Sequence, residues 1–163
     1  MDRFRSFLKI FEALKAKRVE YVLVGGVAVI LQGFPRATEH VDIFVKMEPE
    51  NIKKLKEALM SVYDDAYIDE ITFAELERYP VIRYGTPDGF YIDILGRLGE
   101  AVTYDDLEIE SFEVEGVQIR VATPETLYRL KKDTVRPRDQ QDALFLKQLI
   151  EKRRSDQQGD DSA

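Results

Sequence analysis

The chain has 163 residues, 44% of them apolar, enough for one sizeable core and too few for two ordinary domains. It has no cysteine, which excludes a disulfide framework, a thiolate metal site and a cysteine nucleophile, and leaves oxygen and imidazole as the strong metal donors. A net charge of -7 argues against coating of duplex DNA, which depends on many lysine and arginine contacts to phosphate.

Phe4, Phe7, Leu8, Phe11 and Leu14 recur at helical spacing and predict an amphipathic helix over 4–17. Its charges are spread through the apolar periodicity, unlike a secretion signal, and no apolar run approaches a membrane-spanning length. The cytoplasm is the expected location, with no membrane partner. Tyr21-Val22-Leu23-Val24 reads as a strand ended by Gly25-Gly26, and Val27 to Gln32 as a short buried helix closed by Gly33. In the next strand Val41, Ile43 and Val45 alternate with His40, Asp42 and Phe44, so His40 and Asp42 share a face.

Pro49 opens a helix over about 50–61, with Ile52, Leu55, Leu59 and Val62 on its apolar stripe. Residues 64–78 are expected to be a loop with a short helix around Phe73–Glu77. Val81–Tyr84 and Phe90–Leu95 flank Gly85-Thr86-Pro87-Asp88-Gly89, a turn between paired strands that ends at Gly96. Tyr84, Phe90 and Tyr91 are expected to pack in this hairpin rather than stack on a base.

Thr103 and Asp106 make a capping pair for a brief helix, and residues 112–121 a second hairpin pivoting at Glu115-Gly116. Thr123 caps a helix with Pro124 in its first turn and Leu127 and Leu130 apolar. The last helix starts at Pro137 and Asp139 and carries Leu144, Phe145 and Leu149. Residues 100–115 hold seven acids and no base, whereas 129–138 hold Arg129, Lys131, Lys132, Arg136 and Arg138 against Asp133. Both runs suit solvated faces, and the basic one also suits a phosphate.

Together these elements give an α+β fold with a mixed sheet flanked by helices. One domain is expected over 1–152, with its core at 20–121 and closing helices at 123–152. The tail at 153–163 has nothing to bury and is expected to be disordered.

Gly25-Gly26-Val27-Ala28, Arg36-Ala37-Thr38 and His40-Val41-Asp42-Ile43-Phe44-Val45, in that order, resemble the nucleotidyltransferase superfamily of DNA polymerase beta type. Thr123-Pro124-Glu125-Thr126-Leu127 and Arg136-Pro137-Arg138-Asp139-Gln140-Gln141-Asp142 are similar to the closing helices of its small stand-alone members. The resemblance spans roughly residues 20–150. It implies a nucleoside triphosphate and a divalent metal, Mg²⁺ for the superfamily, with transfer of a nucleotidyl group to a hydroxyl on a small molecule, a protein or an RNA end. It also implies that Asp42 and Asp93 are metal ligands and catalytic groups, with Gly25, Gly26 and the amide of Val27 cradling phosphate. Arg36, Thr38, Lys131 and Arg136 are candidate nucleotide contacts.

One departure matters. The superfamily carries Asp-x-Asp where this chain reads His40-Val41-Asp42, and in a register moved by two residues Phe44 would replace the second acid instead. Either register loses a carboxylate. Imidazole is a poor ligand for Mg²⁺, whereas two carboxylates and an imidazole suit Mn²⁺, Zn²⁺ or Fe²⁺. Three readings of His40 therefore stand: a weakened or inactive transferase, an active one with a changed metal, or an ordinary hydrogen-bonded histidine. A non-catalytic module of the same fold, gripping a toxin partner or sensing a nucleotide, is the alternative function. A homodimer or partner would complete an acceptor cleft that so short a chain lacks.

Overall fold

A computed structural model describes residues 3–132 and 136–161. Its elements run α1 (Arg3–Ala16), β1 (Tyr21–Val24), α2 (Gly25–Leu31), β2 (His40–Val45) and α3 (Pro49–Tyr63), then a 3₁₀ turn at Ala66–Glu70 and α4 (Phe73–Arg78). β3 (Val81–Gly85), β4 (Tyr91–Leu95), β5 (Arg97–Leu98) and β6 (Val102–Thr103) follow, with a second 3₁₀ turn at Tyr104–Asp106. β7 (Ile109–Val114), β8 (Val117–Ala122), α5 (Pro124–Lys131) and α6 (Pro137–Asp161) complete the chain.

Six strands form one mixed sheet in the order β3-β4-β2-β1-β8-β7. β1 is apolar throughout because all four of its residues are buried, as a central strand covered on both faces requires. It runs antiparallel to β2 and parallel to β8. β2 and β4 are parallel, which demands the long crossover that α3, α4 and β3 supply. α1 packs on α3 and β8, while α2 lies against β1, β2 and α5, and α5 pairs with α6. Phe11 of α1 stacks on Tyr21 of β1, with ring centroids 6.1 Å apart.

Buried Asn51, in the first turn of α3, fastens that helix to the sheet. Its Nδ2 donates to the carbonyls of Glu20 and Lys46, at 2.9 Å each, and its Oδ1 accepts from the Glu20 amide at 2.8 Å. Every polar atom of the side chain is thus satisfied inside the protein, where leaving one unpaired would be costly.

The α+β architecture and the mixed sheet flanked by helices are as the sequence pattern indicates. Four details differ. The stretch 64–78 holds two short helices, because Asp65 caps the first by accepting from the Tyr67 amide and Thr72 caps the second by accepting from the Glu75 amide. Strands β5 and β6 are two residues each, too brief to leave a periodic signal. On α6 the buried stripe is Asp142, Ala143, Leu146 and Ile150, and Leu144 is exposed. The predicted disordered tail is helical to Asp161, because extending a formed helix costs far less than nucleating one. Arg153 also ties it down, donating to Glu110 at 3.3 Å and to Gln32 Oε1 at 3.0 Å. Asp133 and the last two residues of the predicted tail lie outside the described residues.

Candidate functional site

β1 turns directly into α2 through Gly25, whose φ of 70° lies in the left-handed region that favours glycine. The space matters as much as the angle, since a Cβ on Gly25 would fall on the Asp42 carboxylate. A Cβ on Gly26 would lie 2.7 Å from Arg36 Nη2 and 3.1 Å from Thr38 Oγ1. The glycine pair thus lets the main chain close on a carboxylate from one side and on Arg36 and Thr38 from the other. Thr38 Oγ1 donates to the His40 carbonyl at 3.1 Å, fixing the entry into β2.

The parallel register sets Asp42 abreast of Asp93. His40 stands two residues before Asp42 on the same face, with Nδ1 3.1 Å from Asp42 Oδ1 and 3.4 Å from Asp93 Oδ2. Phe44, two residues after Asp42, is wholly buried in the core, so the third member of the cluster is the histidine. The hydrogen bond with Asp42 holds the His40 pKa above its ordinary value of 6.5, against the opposing effect of partial burial.

A cation also reaches Asp93 from β3. Arg83 Nε donates to Asp93 Oδ1 at 2.8 Å and Nη2 to Oδ2 at 2.9 Å, a two-pronged fork across directly opposed residues of the antiparallel pair. The guanidinium also lies over the Tyr91 ring, 4.8 Å from its centroid. Tyr84 and Phe90 are buried, as packing residues should be, whereas Tyr91 is exposed beside the cluster.

Behind the glycine turn lies a buried group of charges. Arg36 Nη2 is 3.1 Å from Asp142 Oδ2. Lys131 Nζ donates to Asp142 Oδ2 at 2.9 Å and to Asp139 Oδ1 at 3.0 Å. Asp142 is 0% exposed, and its Oδ1 and Arg36 Nε have no hydrogen-bond partner among the described residues. The structure thus brings His40, Asp42 and Asp93 together beside Gly25, and Arg36 and Thr38 beside Gly26. Lys131 is engaged by two aspartates in the interior, and Arg136 is exposed.

Two residues of the site are given no role by the sequence. Arg83 sits in the apolar run Val81-Ile82-Arg83-Tyr84, where a lone charge was the available signal. Asp142 lies in a polar stretch that looks solvated.

One ligand atom each from His40, Asp42 and Asp93 fall within 4.8 Å of one another. The donor chemistry of two carboxylates and one imidazole fits a single borderline ion better than a pair of Mg²⁺ ions, which select oxygen. Among the described residues no helix is long and apolar enough to cross a membrane.

No protein-family model and no curated protein matches the chain. Solved structures do. The lincosamide antibiotic adenylyltransferase LnuA, in its lincomycin-bound form, is similar with a TM-score of 0.62 at 15% identity, over 89% of this chain and 96% of that one. A nucleotidyltransferase-like antigenic protein of Paracoccidioides brasiliensis gives 0.55 at 16% identity, over 90% and 76%. A candidate nucleotidyltransferase of Thermotoga maritima gives 0.50 at 18%, over 100% and 97%. The chain is a small protein of nucleotidyltransferase-like fold.

Proposed function

We propose that the chain binds a nucleoside triphosphate with one divalent ion, Mn²⁺ or Zn²⁺ in preference to Mg²⁺, and transfers the nucleotidyl group to a hydroxyl. The observation that carries this reading is the convergence of one imidazole and two carboxylates beside a glycine turn that leaves no room for a side chain. The fold shared with an adenylyltransferase supports the reaction class.

His40, Asp42 and Asp93 would hold the ion, whose charge would offset that of the triphosphate. The amides of Gly25, Gly26 and Val27 donate to phosphate oxygens, and the absence of side chains on the two glycines allows the close approach. The acceptor oxygen attacks the α-phosphorus and its proton passes to a carboxylate of the cluster. The bond from the α-phosphorus to the bridging oxygen breaks, and pyrophosphate leaves with that electron pair. Arg36 and Thr38 flank the phosphates, Lys131 acts by bracing Asp142 under Arg36, and exposed Arg136 supplies a further positive charge. The loss of one carboxylate to His40 makes the reaction slow.

Calorimetry with each of the four common nucleoside triphosphates, with Mn²⁺ or Mg²⁺, tests the reading, together with transfer of a labelled nucleotide. Binding is expected with Mn²⁺ and is expected to disappear in Asp42→Asn. If neither the wild type nor His40→Asp binds any nucleotide, the reading fails. A second reading, a non-catalytic module that senses a nucleotide or grips a toxin partner, is favoured by the nitrogen side chains already seated on both carboxylates, His40 on Asp42 and Arg83 on Asp93. Binding without turnover, unchanged in His40→Asp, would select it.

A further inference from the structure

We propose that Arg83 is a built-in cation occupying a metal position on Asp93, and that a divalent ion reaches that carboxylate when the guanidinium lets go of it. The inference rests on the reading of His40, Asp42 and Asp93 as a metal site, and adds a residue that no motif assigns.

Three observations carry it. Both Asp93 oxygens accept from Arg83, at 2.8 and 2.9 Å, so one lone pair on each is committed to the fork and the carboxylate's charge is already matched by a cation. The Asp93 side chain is 9% exposed and that of Arg83 54%, so the carboxylate is fixed while its cation has open access to water. Thirdly, Arg83 belongs to β3, the edge strand of the sheet, and its Cζ lies 4.8 Å from the centroid of Tyr91, itself exposed. That contact is made with the fork closed, and the exposed ring can keep hold of the guanidinium at the surface when the fork opens.

The charges favour exchange rather than coexistence. With Arg83 in place an arriving ion meets two carboxylates of which one is already neutralised, and His40 lies between them. With Arg83 withdrawn the ion meets both acids, and the released guanidinium sits at the rim of the site, where its planar donors match a phosphate.

The test is calorimetric titration of the whole chain with Mn²⁺ alone, for wild type, Arg83→Lys and Arg83→Gln, each checked for folding by circular dichroism. Arg83→Gln is expected to bind Mn²⁺ about tenfold or more tightly than wild type, the scale of one charged hydrogen bond, with Arg83→Lys in between. Equal or weaker binding by folded Arg83→Gln overturns the proposal, as does a lack of binding by wild type and every folded variant. A nitrogen-15 spectrum of the wild type with Zn²⁺ reports without a substitution. The Arg83 Nε–H signal is expected to shift and exchange faster with water as zinc binds, and a signal unmoved at saturation overturns the idea. No nucleotide is present in these measurements, so failure of nucleotide binding or transfer sinks the functional reading and leaves this result standing.

Discussion

Two clusters in this molecule each set two aspartates against two nitrogen-bearing side chains, and differ in how far those side chains reach water. At the sheet, Asp42 and Asp93 face His40 and Arg83; behind the glycine turn, Asp139 and Asp142 face Lys131 and Arg36. In the first the nitrogen-bearing side chains are 36% (His40) and 54% (Arg83) exposed, in the second 11% (Lys131) and 14% (Arg36). A buried pair cannot part without stranding a charge in a medium that does not solvate it, whereas a half-exposed cation returns to water readily and the buried Asp93 carboxylate it leaves calls for another cation. The interior cluster is therefore a clamp between α5, α6 and the loop before β2, and the sheet cluster is a place where a ligand can compete.

The largest effect that would break this contrast is expected at the clamp. Asp142→Asn leaves Lys131 and Arg36 without their shared anion in the interior and should cost about 3–5 kcal/mol of stability, read from urea unfolding. A loss below about 1 kcal/mol would put the clamp on the same footing as an exposed pair. Gly25→Ala comes next, at about 1–2 kcal/mol for a left-handed backbone angle, with Mn²⁺ binding lost as Asp42 is pushed aside. Mn²⁺ binding unchanged in that variant would detach the glycine turn from the site.

Salt gives a smaller and sharper comparison. The melting difference between wild type and Arg83→Gln should shrink toward high ionic strength, while that between wild type and Asp142→Asn should persist, because screening reaches exposed charges first. The smallest effect concerns His40, whose proton the folded chain binds more tightly than the unfolded chain. That contribution to stability is fully present below pH 6.5 and is lost as pH rises through the higher folded-state value. As the single histidine of the chain, His40 gives one imidazole titration by nuclear magnetic resonance. A midpoint at or below 6.5 contradicts the hydrogen bond to Asp42.

What local pattern governs was legible in the sequence. Alternation along β2 placed His40 and Asp42 on one face, Gly25-Gly26 marked a turn, and Thr123-Pro124 announced α5, where the Thr123 hydroxyl accepts from the Thr126 amide. What depends on distant pairing was not. The fork of Arg83 on Asp93 requires the register of β3 against β4, and the burial of Asp142 requires α5 and α6 to be packed first. Tyr91 packs across the hairpin on Arg83 as expected, but its exposure was not legible, because an aromatic run in a hairpin does not say which ring the sheet leaves uncovered. The helical end of α6 was missed because composition alone cannot report that Arg153 finds Glu110 and Gln32.

The pairing of Asp93 with two different neighbours has an evolutionary side. Its partnership with Asp42 is set by the crossover between β2 and β4, and its partnership with Arg83 by the number of residues in the turn from Gly85 to Tyr91. Because strand side chains alternate faces, one residue gained or lost in that turn would carry Arg83 to the other side of the sheet while Asp42 and Asp93 stayed abreast. A change of length in a surface turn can thus uncouple the arginine from the acids without altering any of the three.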